Sequence, residues 1–369
     1  MKRLLFIFIS AAFLALAPVC CADGSAESLD LSALTRDEMP AAFEEIESMP
    51  SLRFVDLGAE DSESESRLTL EDVGSFQSEF PDIDFDYRFS LFGSEYSILC
   101  EKLNLNHIEM DDEGAAVRRV LPYLKHCTFL NMDMCGVSSK AMAAIRDDFP
   151  QIEVVWRVFF GRDCAVRTDC ERILASNTGH VLTSANSRDL KYCTKVKYLD
   201  VGHQYLTDLS FLKYMPDLEV CIIALNPWSD LSPICNCTKL EYLEIEYTQC
   251  HDLSPLSTLT GLKHLNIGGL GSLKGCKALL NLTELERLMV TSHTTVPDTV
   301  LKELRESHPD VYIDTEANDA SDGLWRADPV RKTWSERYQL LREQFGYSDY
   351  GHTCASFDND KRYYYRYEE

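Results

Sequence analysis

A phrase that returns at a fixed spacing constrains this chain more than any other feature. Cys193, Met215, Cys237, Leu259 and Leu282 follow one another at intervals of 22, 22, 22 and 23. Three residues after each begins a run of the form L-x-x-L-x-[IV]: Val196-Leu199-Val201, Leu218-Cys221-Ile223, Leu240-Leu243-Ile245, Leu262-Leu265-Ile267 and Leu285-Leu288-Val290. A fixed period of this length dictates a solenoid, in which each unit buries its apolar face only against its neighbours. Such a stack presents a continuous surface rather than a closed catalytic pocket.

Two units carry Asp230-Leu231-Ser232-Pro233-Ile234 and Asp252-Leu253-Ser254-Pro255-Leu256, and Asp208-Leu209-Ser210-Phe211-Leu212 is a looser third copy. With these phrases the repeat resembles the leucine-rich repeat, in the 22-residue internalin-like form of bacterial exported proteins. The resemblance implies an α/β solenoid: a horseshoe with a parallel sheet on its concave face, longer strand–helix repeats in the first half and helical caps. It also implies a binding module. In that family an Asn ties down the turn after each strand. Here only Asn226 complies, with Gln204, Thr248, Leu270 and His293 in its place elsewhere, so these turns are expected to be less regular.

Residues 1–22 read as an export signal. Lys2 and Arg3 precede an apolar run from Leu4 to Ala17, and Cys20-Cys21-Ala22 offers small residues for cleavage. The run is too short for a bilayer span, and no later stretch is apolar enough to be one. Cys20 or Cys21 would be the site of a lipid anchor, but Pro18 and Val19 fit a lipobox poorly, and free secretion or surface location is the expectation. Removing the signal changes the formal charge from −24 to −26. So acidic a chain is unsuited to nucleic acid, whose binding draws on clustered Lys and Arg, and is repelled by anionic membranes. Fourteen cysteines in an exported chain would ordinarily mean a disulfide framework. Here Cys193, Cys221, Cys237 and Cys276 stand at apolar positions of the repeat, so they read as buried leucine substitutes. Cys235-x-Cys237 lacks a second ligand pair for zinc, and Cys164 with Cys170 is the one local disulfide candidate.

After the signal, residues 23–48 offer an amphipathic helix, capped by Thr35, that would close the open end of the solenoid. Residues 49–192 hold irregular, duplicated strand–helix repeats. Phe80-Pro81-Asp82-Ile83 is echoed by Phe149-Pro150-Gln151-Ile152, and Tyr87-Arg88 by Trp156-Arg157 at the same offset. Their recurrence points to packing rather than chemistry. The acidic, Ser-rich run from Glu60 to Ser66 reads as a solvated loop ahead of a calcium site. Helices are expected over 114–124 and 138–149 by apolar spacing. The five 22-residue units fill 193–294, and 295–323 form a truncated last repeat and linker. In 324–369, Trp334, Tyr338, Leu341 and Phe345 share one helix face, expected to cap the C-terminal end of the stack ahead of docking another protein.

No H-E-x-x-H, G-x-S-x-G or P-loop occurs, and the histidines lack local acid or nucleophile partners. The reading is therefore not an enzyme, with no cofactor and no metal. What remains is the sheet. Alternate side chains of a strand face opposite ways, and neighbouring parallel strands lie about 4.8 Å apart, so outward residues form ladders. One ladder is Tyr198, Val220, Tyr242, His264 and Arg287; a second is Asp200, Ile222, Glu244, Asn266 and Met289; a third, past the strand, is His203, Leu225, Tyr247, Gly269 and Ser292. Tyr198, Val220, Ile222, Leu225, Tyr242, Tyr247 and His264, rimmed by Asp200, Glu244 and Glu246, are expected to form an open apolar–aromatic patch that binds a partner, the alternative being that the N-terminal domain or another segment of the chain covers this face. The function expected is an exported binding module recognising a protein, ahead of a glycan, through its concave face. A structural or self-assembling surface protein, and an enzyme with a site outside the repeats, are the alternatives.

Overall fold

Each unit of the repeat becomes one short strand followed by a turn and a 3₁₀ return, and the strands stack in parallel. The structure, a computed structural model, describes residues 26–61, 64, 66–160, 165–176, 182–291, 293–317, 325–328, 333–345 and 355–356. The export signal, Cys20, Cys21, Cys164, Ser292 and parts of the acidic run, linker and tail lie outside the described residues. Two compact units divide the chain, Met1–Val155 and Trp156–Glu369.

In the first unit, β1 (Ser28–Asp30), β2 (Phe54–Ala59), β3 (Asp84–Leu91) and β4 (Ser94–Ser97) form one sheet, parallel except for the β3–β4 hairpin. A second sheet joins β5 (Lys102–Asn104), β6 (Phe129–Asn131) and β7 (Glu153–Val155) in parallel. The helix expected as an end cap, α1 (Met39–Glu47), instead connects β1 to β2, because the chain before it already adds a strand. Glu38 Oε2 accepts the Thr35 amide at 2.9 Å and its hydroxyl at 2.8 Å just before α1. Phe43 of α1 packs edge-on against Phe76 of α2 (Leu70–Glu79), centroids 4.6 Å apart, and Phe76 meets Phe85 of β3. Thr69 caps α2 reciprocally with Asp72. The helices expected near 114–124 and 138–149 are α3 (Ala115–Val120), prolonged by a 3₁₀ turn, and α4 (Ser139–Asp148), whose cap Ser138 accepts the Ala141 amide. Tyr87 is fully buried.

In the second unit, a short hairpin of β8 (Arg157–Phe159) and β9 (Ala165–Arg167) precedes the main sheet, and Trp156 beside it is fully buried. That sheet runs through β10 (Arg172–Leu174), β11 (Tyr198–Asp200), β12 (Val220–Ile222), β13 (Tyr242–Glu244) and β14 (His264–Asn266). Between β14 and the next sheet strand lies β15 (Gly271–Ser272), which pairs in parallel with β17 (Thr294–Thr295). The main sheet continues with β16 (Arg287–Met289) and β18 (Tyr312–Asp314), the last reached through α5 (Asp298–Ser307). It thus extends one parallel strand beyond the repeat at each end. Ile173 pairs with Leu199 and Leu288 with Ile313, so both of these steps are longer than the repeat and escape its period. Next come β19 (Ala327–Asp328), its antiparallel partner β20 (Thr333–Trp334), α6 (Glu336–Phe345) and β21 (Ala355–Ser356), which pairs antiparallel with β10 at the sheet edge.

The turn after the strand is more uniform than expected. His203, Leu225, Tyr247 and Gly269 each lie four residues past the central strand leucine or its Cys221 equivalent, and each has φ between 50° and 68°. His107 and Met134 occupy the same place in the first unit, at 61° and 57°. Left-handed backbone is rare for branched or bulky residues, so its recurrence marks one shared turn. Gly269 is required there, since a Cβ would lie 2.5 Å from the Tyr247 ring. Other residues take over the missing asparagines. Asn226 Nδ2 donates to the Val201, Ile223 and Ala224 carbonyls while its Oδ1 accepts the Leu206 amide. Gln204 does the same with Ala175 O, Gly202 O and the Leu182 amide. The Thr248 hydroxyl donates to Ile245 O, and in the fourth unit the Thr294 hydroxyl donates to Ile267 O and accepts the Leu270 amide. The return is built by the Asp-Leu-Ser phrase: Asp208, Asp230 and Asp252 each accept the amide of the serine two residues on, and Pro233 and Pro255 open 3₁₀ turns.

Leu199, Cys221, Leu243, Leu265 and Leu288 point into the solenoid core with essentially no exposure. Cys193, Cys237, Cys250 and Cys276 are buried there too, and all ten described cysteines are thiols rather than disulfides. Burial pushes the Cys237 thiol up to about 12, so it stays neutral and unreactive. The hydrogen bond with Cys127, with burial, raises the Cys100 thiol as well, so thiol titration of the native protein should label chiefly the half-buried Cys170 and Cys235 among these ten, and the rest only after denaturation without reductant. A need for reductant before most of them titrate would contradict this packing.

Candidate functional site

The strand register places the ladders as the spacing requires. Tyr198, Val220, Tyr242, His264 and Arg287 pair in sequence across the sheet, and so do Asp200, Ile222, Glu244, Asn266 and Met289. All project to the concave face, away from the leucine core. Their exposure is another matter. The expectation of an open patch is corrected: Asp200, Val220, Ile222, Tyr242, Glu244, Glu246 and His264 are buried, Tyr198 is half-buried, and only Leu225 and Tyr247 remain exposed, at 37% and 40%.

The cover is the chain's own C-terminal segment. Trp325, Tyr338, Leu341 and Phe345 form one buried cluster with Leu174, Val220, Ile222, Tyr242 and Met289. The helix face read from the sequence is therefore real in α6, but it lies on the concave face and not over the end of the stack. Trp334 leaves that face: it sits in β20, 46% exposed, beneath the Arg342 guanidinium at 4.7 Å. Tyr198 meets Phe345 edge-on at 6.3 Å, and Arg172 donates to the Gln344 carbonyl at 2.8 Å.

Glu244 is the centre of the contact. Its carboxylate accepts the Trp325 indole N–H at 2.8 Å, Arg326 Nη2 at 2.7 Å and the Tyr242 hydroxyl. Burial disfavours its charge. The Arg326 guanidinium and the hydrogen bonds outweigh that cost and hold the carboxyl below its ordinary value. Arg326 also approaches Glu246 at 3.9 Å, and Glu246 accepts Asn266 Nδ2 at 2.9 Å. Asp200 accepts the Ser176 hydroxyl and the Gly202 amide. The Trp325 ring lies 5.4 Å from that of Tyr242, with Arg287 over its face at 5.4 Å, and Arg337 lies over Tyr242 at 5.4 Å. Every acidic group of the expected rim thus holds a donor. Sequence reasoning missed Trp325, Arg326 and Arg337. The available signal was the match between an acidic, aromatic sheet face and a basic, aromatic C-terminal segment.

Among the described residues no cluster of His, Cys, Asp and Glu could hold a metal, and no helix is long and apolar enough to cross a membrane. No family model and no curated protein matches the chain. Among solved structures it is similar to an internalin (inlF) from Listeria monocytogenes, with 15% identity over 74% of this chain and 63% of that one, TM-score 0.29. It is also similar to a leucine-rich repeat protein of Leptospira interrogans, with 16% identity over 79% of this chain and 76% of that one, TM-score 0.36. A third is internalin C2 of Listeria monocytogenes, with 16% identity over 62% of this chain and 88% of that one, TM-score 0.30. The chain spans less than two thirds of the first of these. Its own strand register and recurrent turn define the fold as a leucine-rich repeat solenoid.

His264 gives the covered face a pH signature. Burial, then the charges of Arg337, Arg287 and Lys263, push its pKa down to about 3. The Glu286 carboxylate, 3.6 Å away but mostly solvated, does not offset them. In the unfolded chain this histidine takes up a proton below about pH 6.5, which the folded chain refuses. Stability should therefore fall between about pH 6.5 and 3, on the order of 1 kcal/mol per pH unit from this group. Loss of the Glu244 charge acts in the same direction at the acid end. Thermal melts from pH 7 to 4 should show this slope, and His264→Gln should flatten it. An unchanged slope in the variant would contradict the burial of His264.

Proposed function

We propose that this chain is an exported, non-catalytic leucine-rich repeat protein that binds a protein partner, ahead of a glycan, through the concave face of its repeat sheet. The observation that carries this reading is that the face already holds a polypeptide. Trp325 and Arg326, far beyond Glu244 in the sequence, engage it by hydrogen bonds, an ion pair and ring contacts of the kind that dominate protein interfaces. The export signal at residues 1–22 supports a secreted or surface location, and the absence of catalytic motifs from the sequence supports binding over chemistry.

The outward residues Leu225 and Tyr247 edge the face and give the test. Both have left-handed backbone, which Asn tolerates well, so Leu225→Asn and Tyr247→Asn should leave the melting temperature within about 2 °C. Tyr242 cannot serve in this way, because its buried ring makes Tyr242→Ala a stability variant as well. In affinity capture from cell-surface extracts, a protein retained by the wild type should be lost with Leu225→Asn plus Tyr247→Asn. Retention at wild-type level would move the binding surface elsewhere.

A further inference from the structure

Resting on that reading, we infer that the described C-terminal residues 325–328 and 333–345 form a displaceable strap that occupies the concave face in place of the partner, and that the partner inserts an arginine beside a large aromatic ring. Two of the three donors on the Glu244 carboxylate come from the strap, and the third, Tyr242, belongs to the face itself. An incoming chain that covers Glu244 without supplying an N–H pair of this kind leaves a buried charge without its partner, and is rejected for that reason. Charge points the same way. Residues 325–345 carry five Lys and Arg against three Asp and Glu, in a chain of net charge −24.

The fit of the strap is that of an occupant rather than of core. The inward leucine core lies on the other side of the sheet, and Leu199, Cys221, Leu243, Leu265 and Leu288 are not members of the strap's cluster. Among the described residues, five buried side-chain polar atoms have no hydrogen-bond partner, and four of them belong to His264 of the face or to the strap: His264 Nδ1, Arg326 Nε, Arg337 Nε and Gln344 Oε1. Buried polar atoms are nearly always satisfied in a settled interior. A gap lined by Asp200, His203, Leu225, Arg326 and Tyr338 also stays open between strap and sheet. A partner with the same two anchors that also bonds His264 Nδ1 can therefore exchange with it, and the strap lowers that partner's apparent affinity by the fraction of time it is seated.

The test uses the full chain and a fluorescein-labelled synthetic peptide of residues 325–345. The peptide should bind the Trp325→Ala, Arg326→Ala double variant at least tenfold more tightly than the wild type, whose face is occupied. Adding Glu244→Gln to that variant should abolish the binding, as should Arg326→Glu in the peptide. Hydrogen exchange on the wild type, which needs no variant to fold, should show strap amides exchanging at least a hundredfold faster than those of β12 and β13. Equal binding to wild type and double variant, binding to neither, or strap amides as slow as the strands would overturn the strap. Loss of the captured protein in Leu225→Asn plus Tyr247→Asn, together with a slow strap, would keep the binding function and remove only this inference.

Discussion

The main sheet of the second unit depends on one constraint: each of its three-residue strands must hydrogen-bond to its neighbours in register. That register fixes which side chains enter the leucine core and which stand on the concave face, since a slip of one position would exchange the two sets. The recurrent left-handed turn keeps the register from drifting. It turns the chain away from the sheet at the same residue in each unit, and the amides of His203, Leu225 and Tyr247 bond to the next unit while the chain turns. Gln204 and Thr294 show that the turn needs a donor and an acceptor at a given place, and not asparagine as such.

The same register sets charged and aromatic residues side by side on the outward face, where Glu244 and Glu246 cannot be buried without donors. The C-terminal segment supplies them. Glu244 keeps its charge because Arg326, Trp325 and Tyr242 donate to its buried carboxylate. The covered sheet face is thus acidic where it is deepest and aromatic around it.

The repeating half of the fold was legible in the sequence because two periods coincide there, the fixed spacing between units and the alternation within a strand. Both ladders follow from that arithmetic alone. β10 and β18 were not legible as members of the sheet, since their longer steps break the period although the pairing is unchanged. β1 was too short to show alternation. The outward direction of Tyr242 and Glu244 could be read, but not their burial, which depends on a contact between segments that are distant in sequence and share no period. The helix face of Tyr338, Leu341 and Phe345 was equally clear, and its location was not, because an apolar helix face states that it is covered without stating by what.

The contact between Glu244 and Arg326 is the point at which the account is most exposed, and a double-mutant cycle in thermal stability measures it directly. Glu244→Gln, Arg326→Met and the pair together should give a coupling energy of about 1–3 kcal/mol, with the double variant less destabilised than the sum of the two single ones. A coupling near zero would mean that the C-terminal segment does not occupy the concave face.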